Sequence, residues 1–119
     1  MPLVRIVTNL KILPSTFDDV IVDAVASAFK KQPKDVMMEV HLNTHMHHGR
    51  EAEHTIMHVS IVALKTVIDN HHNDRYAQKI TEAIKNNIHI DGDKILLTFH
   101  GMDLEHIALG GHILSPHHH

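Results

Sequence analysis

The chain opens Met1–Pro2. A small residue after the initiator methionine favours its removal, and removal leaves the ring nitrogen of Pro2 as a free secondary amine. An α-amino group ordinarily titrates at about 7.7–8.0. Apolar burial lowers that value, as does a neighbouring cation, because both disfavour the charged form. An amine brought to about 6–7 is neutral at physiological pH and can take a proton from carbon next to a carbonyl. The proline ring suits this role because it fixes the nitrogen in place. By itself Met-Pro is a common start, so the amine needs a pocket and a cation to mean anything.

Histidine is the second source of chemistry, at 15 residues in 119, with no cysteine. His45, His47 and His48 crowd one polar stretch, with His54, His58, His71 and His72 further on. Imidazole binds zinc, copper and nickel well. On an extended loop His45 and His47 point the same way and could chelate a borderline metal. No acidic or thiol ligand recurs at a regular spacing, loop histidines are usually solvated, and no metal ligand set is assigned. His58 alternates with inward or interface-facing residues and reads as a hydrogen-bonded interior histidine. His41 and His100 end strands and could line a pocket.

These side chains must be held by elements the pattern predicts. Pro2 to Asn9 is rich in β-branched residues and reads as a strand, with Leu3, Arg5 and Val7 on one face and Val4, Ile6 and Thr8 on the other. Ser15–Thr16–Phe17–Asp18 has the form of a capping box after Pro14. Phe17, Val20, Ile21, Ala24, Val25 and Ala28 then repeat at helical spacing to an end near Lys31, where Gln32–Pro33 stops the helix. Val36 to Leu42 is a second strand, residues 43–53 a polar loop, and Thr55 to Leu64 a third strand. Asn73 is placed to cap a second helix whose apolar face is Tyr76, Ile80, Ala83, Ile84 and Ile88. Asp91–Gly92–Asp93 predicts a tight turn. Lys94 to Phe99 is a fourth strand, and two short strands flank Gly110–Gly111.

The order is β-α-β twice, then a short β tail. The expectation is an α+β fold with duplicated halves, a four-stranded mixed sheet, and both helices on one face, as right-handed crossovers require. The other face lacks a third helix to cover it, so a second subunit is the natural cover. Residues 1–116 form one domain of ordinary size; residues 117–119 are a histidine tail, native or a tag remnant. A net charge of −3 argues against binding nucleic acid through its phosphates. The absence of cysteine removes disulfides, thiol nucleophiles and thiolate metal sites. No apolar run reaches the roughly 18 residues of a membrane span, and the start lacks a secretory signal pattern. The expected location is therefore cytoplasmic, with any export by a non-classical route.

Several positions resemble the macrophage migration inhibitory factor and D-dopachrome tautomerase family. They are Met-Pro followed by Thr8–Asn9, the helix entry at Pro14 and Phe17, Lys31 before Gln32–Pro33, Asn73–Asp74–Arg75–Tyr76, Asp93–Lys94–Ile95, and Gly111–His112–Ile113–Leu114. Each match is short, but their order and spacing run from Pro2 to Leu114. The resemblance implies a homotrimer with active sites at subunit boundaries. It implies keto–enol tautomerisation of a small keto acid or aromatic enol, without metal or organic cofactor. Pro2 would be the catalytic base and Lys31 the ligand of the substrate carboxylate. Ala63, Leu96, Thr98 and Ile107 fall among the substrate-contacting positions. A cytokine-like role through a cell-surface receptor is also implied. The chain departs from the family where Leu96 and Thr98 replace a tyrosine and an asparagine, Leu109 an aromatic and Leu114 a phenylalanine. Val62–Ala63–Leu64 stands where relatives carry Ser-Ile-Gly. Activity on phenylpyruvate-like substrates is expected to be weakened, leaving open a cytokine-like binding protein, or a histidine-rich metal-binding trimer. The family's Cys-x-x-Cys motif is absent, so the thiol chemistry attributed to it is not expected.

Overall fold

The computed structural model describes residues 1–114, so the histidine tail and the last residues of the expected domain lie outside it. The elements are β1 (Leu3–Thr8), α1 (Phe17–Phe29), β2 (Met37–His41), β3 (Met57–Leu64), α2 (Asn73–Asn87), β4 (Ile95–Met102), β5 (Ala108–Leu109) and β6 (His112–Ile113). The main sheet runs β2-β1-β3-β4, and β5 pairs with β6 separately. β1 and β2 are parallel, β3 and β4 are parallel, and the two pairs meet antiparallel through β1 and β3. Each half is therefore a β-α-β unit, and the halves are joined by their first strands, as duplication predicts.

Strand alternation now has a direction. Val4, Ile6 and Thr8 on β1, with Met57, Val59, Ile61 and Ala63 on β3, are buried. They pack under Phe17, Ile21, Val25 and Phe29 of α1 and Tyr76, Ile80 and Ile84 of α2, so both helices cover one face. The Phe29 and Tyr76 rings meet at 4.4 Å between centroids, which fastens the two helices to each other. The other face carries Leu3, Arg5, His58, Ser60, Val62, Leu96, Thr98 and His100, and no element among the described residues covers it.

Several local expectations are corrected. The capping box at Ser15–Thr16 does not form. Thr16 makes no side-chain cap, and the N–H of Phe17 bonds instead to the Pro14 carbonyl at 3.0 Å. Helix α1 ends at Phe29 because Lys30 takes a left-handed conformation at φ 56°. β2 and β3 begin one and two residues later than expected, at Met37 and Met57. β4 begins at Ile95, after a 3-10 turn over Gly92–Lys94 where a tight turn was expected, and extends three residues past Phe99 to Met102. Asn73 is the first residue of α2 and not its cap. The start of α2 is organised by Asp69, whose Oδ1 accepts the N–H groups of His71 at 2.8 Å and His72 at 2.9 Å. The hydrogen bond from the His72 ring, ahead of those backbone bonds, holds the Asp69 carboxyl below the usual carboxylate range.

The long loop between β2 and β3 is fastened by the Thr8–Asn9 pair. The Thr8 hydroxyl donates to the Ile56 carbonyl at 2.8 Å. Asn9 donates Nδ2–H to the His54 carbonyl at 2.7 Å and accepts the Ile56 N–H on Oδ1 at 2.9 Å. Lys94, in the 3-10 turn just before β4, holds the same loop, with Nζ 2.9 Å from Glu51 Oε2 and 2.9 Å from His48 Nδ1. Asn9→Ala deletes two of these bonds and leaves the part-buried Ile56 N–H without its acceptor. The expected cost is about 1–3 kcal/mol, read as a lowered urea midpoint with an unchanged slope.

Candidate active site

Pro2 sits one residue before β1, fully buried. Its carbonyl accepts the N–H of Met37 at 3.0 Å, so the parallel pairing of β1 and β2 begins at the proline itself. Continuing the β1–β3 register one step past Leu3–Val62 sets Pro2 opposite Ala63 on the helix-covered face.

Lys31 reaches the same end of the sheet through the way α1 stops. With Lys30 left-handed, the N–H of Lys31 folds back onto the Ala26 carbonyl at 2.8 Å. Gln32 and Asp35 then brace a 3-10 turn over Pro33–Asp35, with the Gln32 N–H on Asp35 Oδ2 at 3.2 Å and the Asp35 N–H on the Gln32 carbonyl at 2.9 Å. The chain reverses directly into β2. The result is a cleft of about 430 Å³ lined by Met1, Lys31, Lys34, Asp35, Val36 and Met37, and closed by Leu109 of β5. Leu109 arrives there on the β5–β6 hairpin, whose two-residue turn uses positive φ at both Gly110 (62°) and Gly111 (86°).

The electrostatics of this cleft act on the terminal amine. Burial, and next the Lys31 ammonium, hold the amine of Met1 below the ordinary range, while Asp35 pulls the other way. Two lysines face one carboxylate, which suits an anion, and Val36, Met37 and Leu109 supply apolar walls.

The chain thus brings Pro2 and Lys31 to one end of the sheet. Ala63 is buried beneath the helices, and Ile107 is buried beside the hairpin without lining the cleft. Leu96 and Thr98 lie on the uncovered face of β4. Leu96 pairs in register with His58, which pairs in turn with Val7, at the end of the sheet opposite Pro2. Within one chain they do not meet the proline. Thr98 Oγ1 lies 3.0 Å from His58 Nε2 and 3.1 Å from His100 Nε2. Lys34, Asp35 and Met37 were not singled out from sequence. Their signal was adjacency to Lys31 beyond a helix-stopping proline, which becomes informative only once β2 lies beside β1. A larger hollow of about 530 Å³ runs along the solvent side of α2, but it contains neither the terminal amine nor a histidine.

Comparison with known proteins agrees with this architecture. The family described as macrophage migration inhibitory factor (MIF) matches residues 1–115. The MIF-like protein mif-3 of Caenorhabditis elegans is 23% identical over 115 residues, covering 97% of this chain and 77% of that protein. The solved macrophage migration inhibitory factor of Trichinella spiralis superposes with a TM-score of 0.86 at 14% identity, covering 93% of this chain and 98% of that one. The Toxoplasma gondii protein superposes with a TM-score of 0.79 at 20% identity, covering 93% and 98%. With the duplicated fold, the buried Pro2 and the cleft in place, the chain belongs to the macrophage migration inhibitory factor family.

Proposed function

We propose that this protein is a homotrimeric keto–enol tautomerase whose base is the Pro2 nitrogen, freed by removal of Met1. The observation that carries this reading is the pairing of a fully buried Pro2 with a cleft that holds Lys31 and lowers the pKa of the terminal amine. In this reading the neutral amine takes a proton from the carbon next to the carbonyl of a 2-keto acid. The electron pair moves onto the carbonyl oxygen, which is then protonated to the enol. Lys31 binds the substrate carboxylate and disfavours protonation of the amine. No cofactor takes part in these steps. Leu96 and Thr98, far from Pro2 in their own chain, would reach the site only from a neighbouring subunit.

The aliphatic wall of Leu109 and the replacement of a ring and an amide by Leu96 and Thr98 favour small keto acids over aromatic ones. The same changes support a second reading, a cytokine-like binding protein that acts through a cell-surface receptor and has lost efficient turnover.

The test is enol formation from a panel of 2-keto acids by protein shown by mass spectrometry to begin at Pro2, compared with Lys31→Ala. Turnover is expected, with a raised KM in the variant. The base must be neutral to act, so activity rises with pH through its pKa. Lys31 stands beside the terminus and, after burial, holds the Met1 amine below its ordinary range; if it acts in the same way on the freed Pro2 nitrogen, its removal should move the acid limb of the kcat/KM profile to higher pH. An unmoved limb would remove Lys31 from the amine's surroundings. No turnover by a folded protein that begins at Pro2 would leave the binding-protein reading.

A further inference from the structure

The loop between β2 and β3 carries imidazoles that the N-terminal cleft does not use. His45 and His47 are both exposed, on an irregular stretch two residues apart. Their rings meet edge-on, with centroids 4.8 Å apart and planes inclined at 61°. Their Nε2 atoms converge to 2.9 Å. The neighbouring histidines are engaged elsewhere. Lys94 Nζ lies against His48 Nδ1 at 2.9 Å, and His54 Nδ1 faces Glu51 Oε2 at 3.0 Å. Among the described residues no three His, Cys, Asp or Glu side chains gather to hold a metal ion. The pair therefore stands as two nitrogen donors on an open surface.

Two imidazole nitrogens this close share either a proton or a metal ion. The metal case has a definite metric. With metal–nitrogen bonds of about 2.0–2.1 Å, two ligands at a right angle stand about 2.9 Å apart, whereas two tetrahedral ligands stand about 3.4 Å apart. The observed separation matches the right angle. Square-planar and tetragonal coordination by nitrogen and oxygen belongs to Cu(II) and Ni(II), and the Irving–Williams order places copper first.

We propose that His45 and His47 form a bidentate surface site for divalent copper, completed by water or an added ligand. Copper needs the lone pairs of both Nε2 atoms. A neutral hydrogen-bonded pair holds one Nε2–H, so on binding that proton moves through solvent to Nδ1 of the same ring, and the pair releases no net proton.

The terminal His117, His118 and His119 are a second chelator in the same chain. The test therefore uses the full chain with His117→Gln, His118→Gln and His119→Gln, titrated with copper(II) chloride and followed by NMR and calorimetry. One saturable equivalent is expected, broadening the signals of residues 44–48 first, with zinc(II) at least about tenfold weaker than copper. Adding His45→Gln and His47→Gln should weaken copper binding at least tenfold while leaving amide signals outside the loop in place. If that double substitution prevents folding, either single one should give the same loss, because chelation needs both rings. Broadening centred elsewhere, or copper binding that ignores both substitutions, would reduce the 2.9 Å contact to a shared proton and overturn the site.

Discussion

A chain that keeps Met1 is expected to turn over 2-keto acids about 10²–10⁴-fold more slowly than one beginning at Pro2, the range that a positioned base commonly contributes. With Met1 in place the Pro2 nitrogen is an amide without a basic lone pair. The amine is then the methionine's own, displaced by one residue, up to about 3.8 Å along the chain. That displaced amine still lines the cleft and still feels Lys31. The comparison therefore separates the position of the base from its pKa. Pro2→Gly in the trimmed chain is the companion variant: it keeps a primary amine but loses the ring that fixes the nitrogen, and its rate should also fall. Stopped-flow detection of the enol measures both. Equal rates with and without Met1 would show that the Pro2 nitrogen is not the base.

Val62→Glu is expected to turn the proposed trimer into a folded monomer. Val62 lies near the middle of the uncovered face, paired with Leu3 on β1 and His100 on β4. Near it on the same face are the apolar side chains of Leu3, Leu64 and Met102, and a polar stripe in which Arg5 Nε meets Glu39 Oε1 at 2.7 Å. Nothing among the described residues of the same chain covers this surface, so within a monomer the new carboxylate reaches water and costs little. In the assembly a buried carboxylate without a partner costs several kcal/mol, and three-fold symmetry repeats it three times. Light scattering should report about 13.5 kDa for the variant and three times that for the parent, with matching far-ultraviolet circular dichroism. A variant that stays trimeric would mean that subunits meet through some other surface.

The sequence by itself determined the order of elements, the duplicated β-α-β plan and the helix faces. The reason is periodicity: Phe17, Ile21 and Val25, or Tyr76, Ile80 and Ile84, can bury together only on a helix. It also determined that the described chain offers no thiol chemistry, and it marked Pro2 and Lys31 as residues to watch. It could not say which face of β1 lies under the helices, because Val4–Ile6 and Leu3–Val7 both read as apolar sets around a single Arg5. Packing decided that, by placing β1 next to β3, whose Met57–Ala63 face is the more apolar one. The capping box expected at Ser15–Asp18 and the cap expected at Asn73 do not form, because a hydroxyl or amide near a helix start has several backbone partners within reach, and the tertiary path selects among them. The cleft around the N-terminus was legible only in fragments. Lys31, Lys34, Asp35 and Met37 lie close together in sequence, but they meet Met1 and the distant Leu109 only because α1 stops at a left-handed Lys30, β2 runs back parallel to β1, and the β5–β6 hairpin folds over the same end. Such a site is a property of strand pairing, which links residues far apart in sequence. No local pattern encodes it.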